Sequence, residues 1–329
     1  MSEDLDKYFK HTILPDKNLH DCWEKIIIPA STKDFLMNYA KAIESMDDIS
    51  PIVSSLHKSI LFYGDTGTGK STSARGYANQ IIEKIWSEKE ANLFILEVHA
   101  LFSEWEGRSP KELAQAFDLV EFAARHKPTI LIVDEIESIA YQRSGMIQSG
   151  DPTDLIRVVN TLLRKMDELR NMRRVLLIGT SNFSKVIDEA MWDRFDLKIE
   201  FKRPGRSGRS LILQNCFEEF SKVGLKLKTK DASIVAKYTD GLSPRSLSKV
   251  VWWASALKGK SYEKLTVKDI IKAARDLSCR EIKKMQKEGG VTNDGDDQEI
   301  NCRFSEYRGS IRANGQYAER NSGESRISI

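Results

Sequence analysis

The segment Gly64-Asp65-Thr66-Gly67-Thr68-Gly69-Lys70-Ser71 follows an apolar run and precedes a stretch of helical periodicity. It fits the pattern G-x-x-x-x-G-K-[ST] in the context that pattern requires. Glycines let the backbone curl so that successive N–H groups face an anion, and the helix behind them presents its positive end. Lys70 is then the residue for the β and γ phosphates, the Ser71 hydroxyl is a magnesium ligand, and Thr72 completes the nucleotide-binding segment. The bland alternative, a glycine-rich turn with an exposed lysine, is disfavoured by the strand and helix patterns on either side.

Such a site needs acids at the end of a buried strand, and Ile130-Leu131-Ile132-Val133-Asp134-Glu135 supplies them. Asp134 is placed to hold the magnesium, and Glu135 to orient and deprotonate an attacking water beyond the γ-phosphate. Two solvated acids at a strand end are common on their own. Their coincidence with the Lys70 segment is what gives them meaning.

The elements that must position these residues follow from periodicity. Apolar runs at Ser59–Tyr63, Leu93–Val98, Ile130–Val133 and Val175–Gly179, with the alternating Leu197, Ile199 and Phe201, predict five parallel strands. Between them Ala74, Tyr77, Ala78, Ile81, Ile82 and Ile85 share a helical face. Leu113, Ala116, Phe117, Val120 and Ala124 make a second such face, and Leu155, Val158, Val159, Leu162, Leu163 and Met166 a third. This is the pattern of an α/β domain with a parallel sheet covered by helices on both faces. Ser109-Pro110-Lys111-Glu112 and Asp151-Pro152 read as helix starts.

After Arg203-Pro204-Gly205 the strand signals stop, and four helices are expected up to about residue 280, with Ser243 and Thr266 as caps. In the lid helix that follows Ser243, the spacing of Leu247, Val250, Val251 and Ala254 predicts that at least one of Trp252 and Trp253 is core. The expected organisation is an extension over 1–20, an α/β domain over 21–203, a helical lid over 204–280 and a tail over 281–329. That tail is too polar to offset the entropy of ordering and is expected to be disordered.

A net charge of +3, with Lys and Arg scattered rather than clustered, leaves no compositional footprint for nucleic acid. Cys22, Cys216, Cys279 and Cys302 are far apart and form no zinc-type pair. A Met-Ser-Glu-Asp start and the lack of any long apolar run predict a soluble cytoplasmic protein with no membrane partner.

At the phosphate-site residues the chain resembles the AAA+ family of P-loop ATPases, and the likeness extends over roughly residues 20–280. Gly179-Thr180-Ser181-Asn182 is similar to the family's sensor-1 segment, which makes Asn182 a residue that helps place the lytic water. Ile187-Asp188-Glu189-Ala190-Met191-Trp192-Asp193-Arg194-Phe195-Asp196 resembles the stretch that carries the arginine finger, with Arg194 in that role. Trp192 and Asp193 stand where many relatives carry a second arginine. Gly241-Leu242-Ser243-Pro244-Arg245 resembles sensor 2, which would aim Arg245 at the γ-phosphate. Read from the residues alone, Arg194 is a surface ion pair with Asp193 or Asp196 and Arg245 a helix-surface charge, and only the aligned positions reverse that. A finger acts in a neighbour's site, so the resemblance implies a head-to-tail ring, in this family usually a hexamer, using ATP and magnesium.

Leu101-Phe102-Ser103-Glu104-Trp105-Glu106-Gly107-Arg108-Ser109 falls where AAA+ remodellers carry the loop that grips a polypeptide in the central pore. Trp105, with Glu106 and Gly107, takes that place; half-buried loop packing is the other reading. Together with Asp151-Pro152-Thr153-Asp154-Leu155-Ile156-Arg157-Val158-Val159-Asn160 and Gly241-Leu242-Ser243-x-Arg245-x-Leu247, this loop resembles the pachytene-checkpoint ATPases, the thyroid receptor-interacting protein thirteen type. Their substrates are HORMA-domain proteins. Only some fifty residues precede Ile60, which leaves no room for the adaptor-binding domain of eukaryotic members. The short form resembles the bacterial members associated with anti-phage cyclic-nucleotide signalling, where the ATPase opens the HORMA protein and quiets the signal. A remodeller of another protein, and a clamp-loader or initiator type that works on nucleic acid, share the same nucleotide residues and stay open. So does a non-enzymatic scaffold, although it could dispense with Glu135 and Arg194.

Overall fold

A strand that is apolar at every position can be stable only if both of its faces are covered, because successive side chains point to opposite sides. The computed structural model, which describes residues 8–46, 58–98, 110–138, 153–182 and 189–288, shows this directly. By internal contacts the chain divides into two units. One runs to Pro204 and includes Ser243–Arg245; the other comprises Gly205–Leu242 and the residues from Ser246 on.

In the first unit the elements are β1 (Phe9–Leu14), α1 (Lys17–Lys25), α2 (Ala30–Met46), β2 (Ser59–Tyr63), α3 (Lys70–Ile81), β3 (Ala91–Glu97), α4 (Pro110–His126), β4 (Thr129–Asp134), α5 (Thr153–Arg170), β5 (Val175–Ser181), α6 (Glu189–Trp192) and β6 (Leu197–Glu200). A π-helical turn, Ile82–Trp86, continues α3. The strands form one sheet in the order β1-β3-β4-β5-β2-β6. Five of them are parallel, and β1 adds antiparallel to β3, from Phe9 opposite Leu96 to Leu14 opposite Ala91. The sequence reading left these residues in the extension over 1–20. Charged, exposed Lys10 guards this outer strand against further pairing.

Alternation along β4 divides the core in two. Leu131 and Val133 join Phe94, Leu96, Leu113, Phe117, Val158 and Leu162 under α4 and α5. Ile130 and Ile132 join Phe62, Trp23, Leu36, Tyr77 and Ile81 under α1, α2 and α3. Each fully buried Leu, Ile or Phe contributes about 1.5–3 kcal/mol. Tyr77 is buried as well and donates its hydroxyl to the Leu36 carbonyl at 2.6 Å, so its polar end is satisfied.

The second unit holds α7 (Arg206–Ser221), α8 (Thr229–Val235), α9 (Pro244–Lys258) from Ser246 on, and α10 (Val267–Glu288), with Ile212, Leu213, Phe217, Val235, Leu247, Val251 and Ile270 buried. Arg209, buried, pairs with Asp240 at 2.9 Å. α10 starts on a reciprocal cap. Asp269 accepts from the Thr266 N–H at 3.1 Å, and the Asp269 N–H reaches the Thr266 hydroxyl at 3.3 Å.

The tandem tryptophans depart from expectation. Leu247, Val250, Val251 and Ala254 fill the buried positions, so Trp252 is 51% exposed and Trp253 only half-buried. Trp253 instead donates its indole N–H to Asp276 at 2.7 Å, with the Arg280 guanidinium over its ring at 4.7 Å. Among the described residues no helix is long and apolar enough to cross a membrane.

Candidate active site

The register of the parallel strands carries the candidate residues to one edge. Tyr63 pairs with Ser181, and Glu97 with Asp134, so the ends of β2, β4 and β5 lie side by side. The loop after β2 turns there because of its glycines. Gly64 has φ +135°, and a Cβ on it would meet the Phe201 carbonyl oxygen at 2.4 Å. Gly69, left-handed at φ 97°, caps α3 and turns the chain into Lys70 at the first helical position.

The Lys70 ammonium is buried and donates to the carbonyls of Gly64 and Asp65, both at 2.8 Å. Burial pushes it down to about 8, against the carboxylates of Glu137, Asp65 and Asp134 that favour its charge; the Arg245 guanidinium adds to the lowering. A cation desolvated in this way gains most from an incoming anion. Thr68 closes the loop on the Asp65 carbonyl at 2.8 Å, and Arg203 holds the Asp65 carboxylate at 2.8 Å. Thr66 and Thr72 are exposed. Arg245, which belongs to the same unit, donates its N–H to the Gly67 carbonyl at 3.2 Å.

Ser71 donates its hydroxyl to Asp134 Oδ1 at 2.7 Å, so two oxygen donors of the kind magnesium takes already sit together. The Arg75 guanidinium lies 3.7 Å from Asp134 Oδ2. Thr180 is a residue that the sequence reading passed over within the Gly179–Asn182 segment. Its hydroxyl donates to Asp134 Oδ1 and accepts from the Glu135 N–H at 3.2 Å. It thereby clamps the backbone of Glu135, which is left-handed at φ 59° with its side chain exposed.

Asn182, just past β5, donates its side-chain amide to Glu137 Oε1 at 2.9 Å and its backbone N–H to the same oxygen at 3.2 Å. Glu137 is the second residue missed. Its signal was a third acid three positions after Asp134, next to apolar Ile136, where a merely solvated acid has no reason to be buried.

The structure thus brings together Gly64–Ser71, Asp134, Glu135, Asn182 and Arg245. Arg194 is not among them. Its carbonyl accepts from Ser59 Oγ at 2.8 Å, at the opposite end of β2 from the loop, roughly 16 Å away along the strand. Its guanidinium engages Asp167 of α5. Trp105, Glu106 and Gly107, with the segment from Asp151 to Pro152, lie outside the described residues.

The model of the family described as ATPase family associated with various cellular activities (AAA) matches residues 60–203. The chain is 31% identical to CD-NTase-associated protein 6 of Pseudomonas aeruginosa over 285 residues, which is 84% of this chain and 92% of that protein. It is 30% identical to the pachytene checkpoint protein 2 homolog of Arabidopsis thaliana over 292 residues, covering 77% of this chain and 62% of that one. With the Oryza sativa homolog the identity is 30%, over 68% of this chain and 48% of the other. The chain therefore spans about half to three-fifths of the length of these plant relatives. Among solved structures, Caenorhabditis elegans PCH-2 superposes with a TM-score of 0.70 at 22% identity, over 84% of this chain and 76% of that chain. A chain of the Escherichia coli MS115-1 HORMA:CdnC:Trip13 complex gives 0.65 at 18%, over 83% and 96%. At these identities the structures show a shared fold.

Proposed function

We propose, since this chain belongs to the AAA ATPase family and is related within it to pachytene checkpoint protein 2 and CD-NTase-associated protein 6, that it hydrolyses ATP in a ring and uses the work to open a HORMA-domain protein. The observation that carries the hydrolytic part is the meeting of Lys70, Ser71, Asp134 and Glu135 at one sheet edge. Magnesium, when bound, would be held by Ser71 and Asp134 and would neutralise charge on the phosphates. Lys70 and the loop N–H groups bind and orient the triphosphate, and Glu135 takes the proton of the attacking water. Arg194 cannot serve its own loop from the far end of β2 and acts on the neighbouring subunit's nucleotide, which makes the ring, in our reading a hexamer, a requirement of the chemistry.

Support for the substrate comes from the relatives. One solved neighbour is a HORMA:CdnC:Trip13 complex, and the curated protein that this chain covers over 92% of its length is CD-NTase-associated. On this reading the chain works in the cytoplasm as a negative regulator of anti-phage cyclic-nucleotide signalling, with the Trp105 loop gripping an extended segment of its partner in the pore. A large flat indole suits a grip that must accept any side chain.

The test is a HORMA-domain protein from the same source, bound to a closure peptide, incubated with this protein and ATP and followed by size-exclusion chromatography. Release of the peptide with ATP and not with a non-hydrolysable analogue is expected, together with stimulated phosphate production. Trp105→Ala is expected to lose the release. Release without ATP, or undiminished release by Trp105→Ala, contradicts the pore mechanism.

A further inference from the structure

Glu137 is the most deeply buried acid in the site. It is 4% exposed, Oε1 accepts both hydrogen bonds from Asn182, and Oε2 is buried with no hydrogen-bond partner among the described residues. A buried carboxylate oxygen left unmatched is costly, on a general scale that exceeds the gain from one ordinary hydrogen bond. It persists in folded proteins where a ligand or ordered water completes it. Its surroundings name the ligand's neighbourhood, since Glu137 is the carboxylate that acts most strongly on Lys70.

The bond to Asn182 carries a second piece of information. A carboxylate can only accept, so the atom that Asn182 turns toward Glu137 is its NH2, and its carbonyl Oδ1 is turned away as a hydrogen-bond acceptor. Ser181 pairs with Tyr63, so Asn182 stands beside the start of the phosphate loop.

We propose that Glu137 is a positioning residue for hydrolysis. Its Oε1 fixes the Asn182 amide so that Oδ1 accepts a hydrogen bond from the attacking water while Glu135 takes the proton. The inference rests on the reading of this edge as a hydrolytic site. It predicts that Asn182 with an unfixed amide orients water poorly even though the nucleotide still binds.

The experiment is a double-mutant cycle of Glu137→Gln and Asn182→Ala, with kcat and KM for ATP measured on the assembled protein and nucleotide affinity measured separately. Glutamine fills the same space and offers an NH2 as well as an oxygen, so either orientation of Asn182 becomes acceptable. We expect Glu137→Gln to lower kcat about ten-fold or more with KM and affinity little changed. In the Asn182→Ala background Glu137→Gln is expected to cost nothing further. If Glu137→Gln does not fold, Glu137→Asp, which keeps the charge and withdraws it by one methylene, is expected to show the same loss of kcat. Normal kcat in the folded Glu137 variant, with Asn182→Ala impaired, overturns this proposal alone. Independent, multiplicative effects overturn it too, because Glu137 would then not act through Asn182. Normal turnover by Asn182→Ala sinks both the assignment of Asn182 and the proposal built on it, whereas an absence of any ATPase activity in the parent protein sinks the hydrolytic reading itself.

Discussion

Arg194 and Asp167 form a two-point ion pair, Nε to Oδ1 at 3.1 Å and Nη2 to Oδ2 at 3.1 Å, that fastens the loop before β6 to the last turn of α5. Arg170 joins it from the same turn, 3.3 Å from Asp167 Oδ1 and donating to the Arg194 carbonyl at 3.0 Å. The pair sets the direction of the Arg194 guanidinium.

Because the nucleotide loop and Arg194 sit at opposite ends of β2, their defects should complement between subunits. Arg194→Ala and Lys70→Ala, each inactive alone, are expected to regain part of the ATPase rate when mixed, with a maximum at intermediate ratio. Asp167→Asn is expected to destabilise the fold by about 1 kcal/mol or less, as partly exposed pairs do, and to lower turnover more than that loss explains. No recovery at any ratio, with both variants assembled, rules out the trans role.

Thr180→Val keeps the shape of a fully buried side chain and deletes the hydroxyl that serves both Asp134 and the Glu135 N–H. Removing these two hydrogen bonds from a buried site costs about 1–3 kcal/mol, while Ser71 still donates to Asp134 Oδ1. Thermal melting is expected to report part of it, and turnover the rest, as a lower kcat. Parental values for both would show that the clamp does not matter.

In the second unit, Asp269 gives a signed pH dependence. Burial opposes its charge, but the Thr266 hydroxyl and N–H and the Lys260 ammonium outweigh it and hold the carboxyl at about 2, below its ordinary 3.8. A folded pKa below the unfolded one contributes stability that is complete above about 3.8 and is lost as pH falls through about 2. Asp269→Asn is expected to lower melting at neutral pH and to flatten the melting curve over that acid window. An equal drop at every pH would show that the charge is not the source.

Much of this was legible from pattern alone. Ile130–Val133 is apolar without a break, which only a strand covered on both faces tolerates, and the glycines of the loop announce a backbone conformation that other residues resist. β1 was hidden because only Phe9 and Leu14 are buried, at the ends of a strand whose middle looks like solvent-exposed chain. Its pairing with β3 depends on residues some eighty positions away. Separation in sequence, 27 positions for one pair and 45 for the other, also concealed the partners of the site. Nothing in the sequence pairs Asp167 with Arg194 or Glu137 with Asn182 until the fold brings them together. Trp252 and Trp253 show the reverse error, large apolar residues whose spacing admitted burial but whose places were already filled.

The central claim, that Glu135 activates water at a site where Lys70 and the loop bind the nucleotide, is tested most directly by Glu135→Gln with ATP affinity and turnover measured side by side. Binding uses the ammonium and the backbone N–H groups, and proton removal uses the carboxylate, so the two must separate. The account predicts near-parental affinity for ATP with turnover reduced by about a hundred-fold or more. Loss of affinity in step with turnover, or turnover that survives the substitution, would contradict it.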